Sequence, residues 1–551
     1  MRPRIVSRAL GRGFNISTLG RKSSWVRAAS TRRAVLMSAA LSALLLIAFQ
    51  LAGGQATPSE AVLYSFAYTP DAGYAQGRLT FDSSGNLYGT TTNGGANSDG
   101  SVFELSPEPA GGCPSGSNPG SGWCETVLYS FCSVGGCTDG YYPEYAYVTF
   151  DNAGNLYGTT FYGGVNNEGT IFELSPEPLS GCPSGSNPGN GWCETVLYSF
   201  QGGTDATNPA NGLVWDSAGN LYGAAYDGCN AGGCVYELSP NGSGGWIEQV
   251  IYPVYNWFTG LAIDSAGNLY GVDGMEHVFK LSFSNGTWTA TNIHTFTGSP
   301  KDGYPGGGNG DSPAVDSAGN VYGTTYYGGT KNLGTVWKLT PVTTGKKAGT
   351  YTEKILHSFT SATTGEYPFA GVTLDSSGNI YGTTVPGGKY GYGTLFELAV
   401  SGTSYKEKLL WSFNNTDGSE PYANPILGSS GNLYGTTYDG GSSDYGTVFE
   451  FNPGAAATTT TLTSSPNPST SGETVTFTAT VSSSAGAPPD GESVNFMEGS
   501  TLLGTGTLSG GSAAFMTSSL PVGTSKIDAV YPGDGNFGGS TSKAVSQKVK
   551  N

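Results

Sequence analysis

A motif, D-x-x-G-N-L-Y-G, recurs seven times at intervals of 48 to 69 residues. Short runs of β-branched and aromatic residues fill the intervals, and no sustained helical periodicity interrupts them. These observations predict an all-β chain: a seven-bladed β-propeller whose N-terminal strand closes the last blade, followed by an Ig-like β-sandwich. The expected boundaries are an export signal over residues 1–56, the seven-repeat propeller over 57–453, and a short linker with the Ig-like domain over 454–551.

The motif begins at Asp82, Asp151, Asp216, Asp264, Asp316 and Asp375, and a seventh copy at Gly428 lacks the Asp. Each unit reads as four short strands. In the second copy these are 147–151, 156–160, 170–175 and 195–200, bounded by Gly, Asn or Pro. The stretch Asp82-Ser83-Ser84-Gly85-Asn86 joins the first two strands of its unit. Asp accepts backbone N–H bonds there, and Gly supplies the positive φ of a short hairpin. The repeated Asp is therefore expected to shape a turn, since a calcium loop needs several oxygens converging on one point.

The strand count predicts closure. The fourth-strand pattern appears at 62–66, 126–131, 195–200, 249–253, 292–296, 354–359 and 408–413. The first precedes any first strand, and the last unit stops after its third strand, 447–451. One orphan strand at each end completes one blade, which leaves no open edge. An open solenoid would instead need capping units.

The leader is built differently from the rest. The chain of 551 residues carries a formal charge of −17, yet residues 1–56 hold nine Lys or Arg and no acid, so the remainder carries −26. A basic stretch from Arg2 to Arg33, an apolar stretch from Ala34 to Ala52 and small residues up to Ala56 follow the order of a secretory signal. Ser30-Thr31-Arg32-Arg33-Ala34-Val35-Leu36 partly resembles a twin-arginine signal. An uncleaved anchor is the competing reading, because the apolar stretch is just long enough to span. No other segment is expected to cross a membrane. The acidic remainder excludes nucleic acid as partner, since phosphates require a basic face. The expected location is extracellular, at the cell surface or in the periplasm.

Eight cysteines fall into four local pairs: Cys113/Cys124, Cys132/Cys137, Cys182/Cys193 and Cys229/Cys234. An even count in an exported chain implies disulfides. The segment 113–124 nearly repeats as 182–193, which favours local bridging, and the absence of C-x-x-C spacing and of nearby histidines speaks against the rival zinc site.

The block G-N-L-Y-G-T-T…G-G…G-T-V-F-E-L resembles the bacterial GloVer-type tandem repeat of choice-of-anchor surface proteins. More loosely it is similar to the NHL repeat, through the D-x-x-G-N-x-Y core. The resemblance covers nearly all of residues 61–453. It departs most in the fourth unit, where Val272-Asp273-Gly274-Met275 replaces the Thr-Thr and Gly-Gly elements. It implies an exported bacterial protein and brings no assigned chemistry. After Pro453 the composition shifts to Ala, Thr, Ser, Asn and Pro. Strands expected at 474–481, 493–498, 513–517 and 526–531 belong to about seven in a sandwich. T-S-S-P-N-P-S…G-E-T-V-T-F-T-A-T-V resembles a bacterial Ig-like repeat domain, which implies a spacer or adhesion unit.

Loops between second and third strands share a face with the links between blades. That face is rich in tyrosine, and the candidate binding residues are Tyr141, Tyr142, Tyr145, Tyr162, Trp257, Tyr304, Tyr326, Tyr327, Tyr390 and Tyr438. An apolar ring with a polar tip suits glycan or protein contact. No catalytic residue, metal ligand or cofactor is assigned. His294 and His357 occupy the slot filled elsewhere by Tyr64, Tyr129, Tyr198, Tyr252 and Trp411, which reads as aromatic packing, and His277 shows no obvious partner. The expectation is an exported surface or secreted protein that binds a glycan or a cell-envelope or extracellular protein, with the Ig-like module as spacer. The alternative is a propeller-fold polysaccharide lyase or hydrolase.

Overall fold

The computed structural model describes residues 58–551 apart from 231, 255–259, 274–276, 299, 305–311, 484–486 and 534–536. The export-signal expectation and Trp257 lie outside the described residues. The chain is all-β, with a single 3-10 turn at Gly345–Lys347 among the described residues.

Between Ser59 and Asn452 the described strands form seven antiparallel sheets built on the same four-strand order, besides one minor two-stranded pairing. In the second sheet the strands are Thr149–Phe150, Leu156–Thr160, Thr170–Pro176 and Trp192–Ser199. The middle two match the expectation. The first is shorter, with only Thr149 and Phe150 paired to the second strand. The fourth starts earlier, since Trp192 pairs with Pro176. The strand Ser59–Ser65 pairs antiparallel with Thr447–Asn452, Ser65 opposite Thr447, and Ser65 Oγ accepts the Ser442 backbone N–H at 2.8 Å. The orphan strands therefore meet.

Each letter of the motif has a physical task. Asp151 Oδ1 accepts the Ala153 and Asn155 backbone N–H groups at 2.8 and 2.9 Å, and Oδ2 accepts Asn155 Nδ2 at 2.9 Å and Tyr157 Oη at 3.2 Å. The Asp is a turn residue, as expected. In the copy without Asp, Glu450 reaches across from the third strand and accepts Asn432 Nδ2 and Tyr434 Oη, both at 2.6 Å. The Leu is buried. The second Gly lies under a third-strand ring: a Cβ on Gly158 would come within 2.6 Å of Phe172. The Thr-Thr that follows divides its labour. Thr160 Oγ1 pairs with Thr170 Oγ1 at 2.7 Å inside the sheet. Thr159 Oγ1 donates to the Asn211 carbonyl of the next sheet at 2.8 Å.

Successive sheets are joined by such threonine bonds and by apolar clusters that each draw on two neighbours. Tyr157 and Ile171 of the second sheet pack with Leu213 and Tyr236 of the third. The order of contacts is circular: Tyr434 and Val448 of the seventh sheet pack with Leu87 and Phe103 of the first, and Thr436 Oγ1 donates to the Gly77 carbonyl at 3.1 Å. Burying these faces is the main drive for association of the sheets.

The four disulfides are Cys113–Cys124, Cys132–Cys137, Cys182–Cys193 and Cys229–Cys234. The pairing is local throughout, as the duplicated spacing predicted.

Residues 458–550 form two further sheets around one core that includes Phe477, Phe496, Ile527 and Tyr531. The strand Ser493–Glu498 falls where expected, and Gly523–Gly533 is longer than expected. Two short strands, Ser469–Thr470 and Gly538–Thr541, bring the described total to nine. Among the described residues no helix is long and apolar enough to cross a membrane.

Candidate functional site

The segment leading into four of the first strands carries an aromatic residue followed by Ala: Tyr74-Ala75, Tyr145-Ala146, Phe369-Ala370 and Tyr422-Ala423. The small Ala is buried at each, which lets the chain pass close to the centre and turns the ring before it toward the end of the sheets. Tyr145, from the second sheet, lies 5.9 Å from Phe369 and 6.3 Å from Tyr422, which lead into the sixth and seventh sheets. A contact between such distant sheets marks the centre of the arrangement. From there a continuous set of rings spreads outward. Phe369 meets Tyr422 at 4.9 Å, Tyr422 meets Tyr438 at 5.5 Å, and Tyr438 meets Tyr74 at 4.9 Å. In the other direction Phe369 touches Tyr326, which stacks on Tyr367 at 5.0 Å. All of these rings are half-buried.

Carboxyl groups stand among them. Tyr422 Oη donates to Glu420 Oε2 at 2.9 Å. Burial raises Glu144 above the ordinary carboxylate range. Burial, with Glu420 and Asp444 adding repulsion, pushes Asp439 up to about 6. Beside Tyr145 a small pocket is lined by Gln76, Arg78, Tyr147, Asn211 and Asn424. The Arg78 guanidinium sits 3.9 Å over the Tyr147 ring, a cation–π contact.

Of the residues singled out from sequence, the structure brings Tyr145, Tyr326, Tyr327 and Tyr438 into this set. Tyr141, Tyr142 and Tyr162 form a second patch, with Tyr141 stacked on Tyr162 at 5.3 Å. Tyr304 joins Tyr327 through backbone bonds and is exposed. Tyr390 stands apart, exposed, with Lys389 Nζ 4.8 Å from its ring. Sequence reasoning missed Tyr74, Tyr367, Phe369 and Tyr422. For Tyr74, Phe369 and Tyr422 the aromatic-Ala dipeptide ahead of four of the first strands was the available signal.

A second cleft opens at the opposite end of the third and fourth sheets, where Trp215, Tyr222, Phe283 and Trp288 surround the Asp216 and Asp264 turns. Trp288 Nε1 donates to Glu237 Oε2 at 3.2 Å.

Between the sheets lies a polar constellation that the sequence reading did not resolve. In all seven units the fourth strand carries a bulge just before the slot filled by Tyr, His or Trp. The extra residue turns that side chain toward the next sheet. At Tyr64, Tyr129, Tyr198, His294 and Trp411 it meets there an Asp from the following loop and a Glu from the next fourth strand. Tyr64 Oη donates to Asp71 at 2.8 Å, beside Glu125. Tyr129 does so to Asp139 at 2.8 Å, beside Glu194. Tyr198 does so to Asp205 at 3.0 Å, beside Glu248. Trp411 Nε1 donates to Asp417 at 3.2 Å, and Glu60 completes that set. Burial pushes Glu60, Glu194 and Glu248 each up to about 8, with a nearby Asp adding to the effect. The spacing E-x-x-x-[YHW] was the signal in the sequence: Glu60 to Tyr64, Glu125 to Tyr129, Glu353 to His357 and so on.

The histidines thus have more than packing partners. His294 and His357 do lie edge-on to Phe296 and Phe359, at 4.7 and 4.8 Å, as an aromatic slot predicts. They also face carboxyl groups, Asp302 and Glu353 for His294 and Glu407 for His357. His277 has a partner after all, with Nδ1 3.0 Å from Asp273 Oδ2.

Residues 308–487 match the family described as the Gloeobacter/Verrucomicrobia repeat, and residues 462–550 match the Bacterial Ig-like domain (group 3). The chain therefore carries a Gloeobacter/Verrucomicrobia repeat region and a bacterial Ig-like domain. No curated protein matches it. Among solved structures, a streptogramin B lyase is 12% identical, with a TM-score of 0.40 over 72% of this chain and 98% of that one. YCF48 from Cyanidioschyzon merolae is 12% identical, with a TM-score of 0.39 over 72% and 99%. At such values a likeness carries no argument about what this chain does.

Proposed function

We propose that the chain is an exported bacterial binding protein. Residues 57–453 form a seven-bladed β-propeller, whose aromatic end contacts a glycan or a cell-envelope or extracellular protein. Residues 1–56 act as the export signal, and 454–551 as a spacer. Seven successive sheets with a circular order of contacts support the propeller reading. The four disulfides support export, because such bonds persist in oxidising compartments.

The observation that carries the binding reading is the set of half-exposed rings converging on Tyr145. Rings with polar tips stack on sugar faces or apolar side chains and still offer hydrogen bonds at their edges. Glu144, Glu420 and Asp439 add acceptors around them. The test is a glycan array and a cell-envelope pull-down with the full chain, compared with Tyr145→Ala and Tyr422→Ala. Binding that both variants lose supports the reading. Absence of any ligand for the wild type, or full binding by both variants, counts against it. Loss in Trp288→Ala alone would move the site to the cleft between the third and fourth sheets.

A further inference from the structure

We infer that His294, Asp302 and Glu353 form a binding site for a divalent transition-metal ion, zinc above all, that ties the fourth sheet to the fifth. His294 lies on the fourth strand of the fourth sheet, Thr287–Thr295, and Glu353 on the fourth strand of the fifth, Tyr351–Ser358. Asp302 comes from the loop between the sheets. One ligand atom from each lies within 4.8 Å of the other two.

The comparison with equivalent sites in the same chain is the core of the argument. At Tyr64, Tyr129, Tyr198 and Trp411 the slot's O–H or N–H donates directly to the loop Asp, at 2.8 to 3.2 Å. That hydrogen bond satisfies the slot side chain, while Oε1 of the neighbouring Glu60, Glu125, Glu194 and Glu248 is left without a partner, as at Glu353. At His294 the slot's hydrogen bond is missing. Nε2 stands 3.7 Å from Asp302 Oδ2 and 3.6 Å from Glu353 Oε1, too far for hydrogen bonds to either. Both Nε2 of His294 and Oε1 of Glu353 are buried and have no hydrogen-bond partner. A buried polar atom left so is costly.

These separations suit ligands around one ion. Zinc bonds of about 2.1 Å at tetrahedral angles place neighbouring donor atoms roughly 3.4 Å apart. The two separations from His294 Nε2 lie within a few tenths of an ångström of that value, and rotation of the carboxylates, which stand within 4.8 Å of each other, would bring all three donors around one ion. One imidazole and two carboxylates are ordinary ligands for such ions, and three leave a fourth position for water. Neither carboxylate has a Lys or Arg partner among the described residues, so a dication would supply the missing positive charge.

The surroundings hold the donors in place. Asp302 is 5% exposed, and its carboxylate accepts the Thr297 backbone N–H at 3.0 Å and the Thr297 hydroxyl at 2.8 Å. Phe296 sets the imidazole plane from the edge. Such orientation by outer contacts is typical of metal ligands. Among the described residues the set arises once: His357 faces Glu407 at 3.5 Å, but no Asp among them joins the pair. The four disulfides all lie in residues 113–234, so the metal would cross-link a part of the repeat region that they leave unstapled.

The test uses the untagged full chain, stripped with chelator and titrated with zinc chloride. Bound metal is counted by mass spectrometry, and cobalt(II) is read by its visible absorption. The expected result is one equivalent of zinc, a cobalt band typical of a low-coordinate nitrogen–oxygen site, and a thermal midpoint that rises with zinc. His294→Tyr installs the residue the repeat uses elsewhere, so the fold has a precedent for it. Glu353→Gln is the second variant if His294→Tyr does not fold. Each should weaken zinc by more than the roughly 10- to 100-fold that even an outer-contact change costs. His357→Tyr should leave binding intact. Failure of the wild type to hold zinc at tens of micromolar would overturn the inference. So would wild-type stoichiometry and affinity in both His294→Tyr and Glu353→Gln.

Discussion

Replacing Glu194 by Gln tests whether the carboxyls between neighbouring sheets are held protonated by the fold. Glu194 is 0% exposed, so solvent does little to screen it. Burial raises its carboxyl from 4.5 to about 8; the Asn187 amide works against that shift and the charge of Asp139 adds to it. Between those two values the folded chain keeps a proton that the unfolded chain has released. Stability from this group is therefore fully present below pH 4.5 and is lost as pH rises toward 8. Each pH unit crossed is worth about 1.4 kcal/mol, so the wild type loses on the order of 3 kcal/mol from pH 5 to pH 7 through this group. Gln keeps the shape and can still accept from Asn187, but it does not ionise. The stability of Glu194→Gln relative to wild type is expected to improve by up to about 3 kcal/mol between pH 5 and pH 7. Urea unfolding of the full chain, followed by tryptophan fluorescence at both pH values, measures that difference. Parallel pH dependences in variant and wild type would refute the reasoning, because Glu194 would then ionise alike in both states.

Other consequences are equally direct. In Gly323→Ala the new Cβ would lie 2.5 Å from the buried Trp337 ring, so a loss of about 1–3 kcal/mol is expected; an unchanged unfolding midpoint would contradict the packing. Asp151→Ala removes the acceptor for two turn N–H groups and should cost about 1–2 kcal/mol. Glu450→Ala should lower the midpoint similarly, and adding Gly428→Asp should recover part of it, since the Asp would restore the turn acceptor that Glu450 replaces. Serine at both Cys113 and Cys124 opens a loop of sequence separation 11 and should cost about 3 kcal/mol in the chain-entropy account. Calorimetry of the double variant against wild type reads that loss.

The repeat was legible in the sequence because its chemistry is local. The Asp of each turn, the Gly under its ring and the short strands depend on neighbours a few residues away. The cysteine pairs were legible for the same reason. The interfaces between sheets were not. Tyr129, Asp139 and Glu194 belong to one polar set, yet the fourth-strand bulge that aims Tyr129 leaves no clear mark in composition. His294 looked like one more aromatic slot, since periodicity reports which positions are equivalent and not what faces each one. The aromatic face was half legible. Tyr145, Tyr326 and Tyr438 stood out as tyrosines in loops, whereas Tyr74, Phe369 and Tyr422 became visible as a set only when their sheets met.

By itself the sequence determined the recurring four-strand unit, its turn chemistry and the complementarity of the first and last strands, and it favoured the local cysteine pairs that the structure joins. These follow from short-range hydrogen bonding, side-chain alternation and counting. The tertiary structure decided which distant side chains meet: Tyr145 with Phe369 at the centre, Glu450 in place of a missing Asp, and His294 with Asp302 and Glu353 between two sheets. The physical reason is that a repeat specifies the same local geometry seven times. The rings, protons and charges at the centre and between the sheets depend on residues that differ from unit to unit and come together only when the sheets pack.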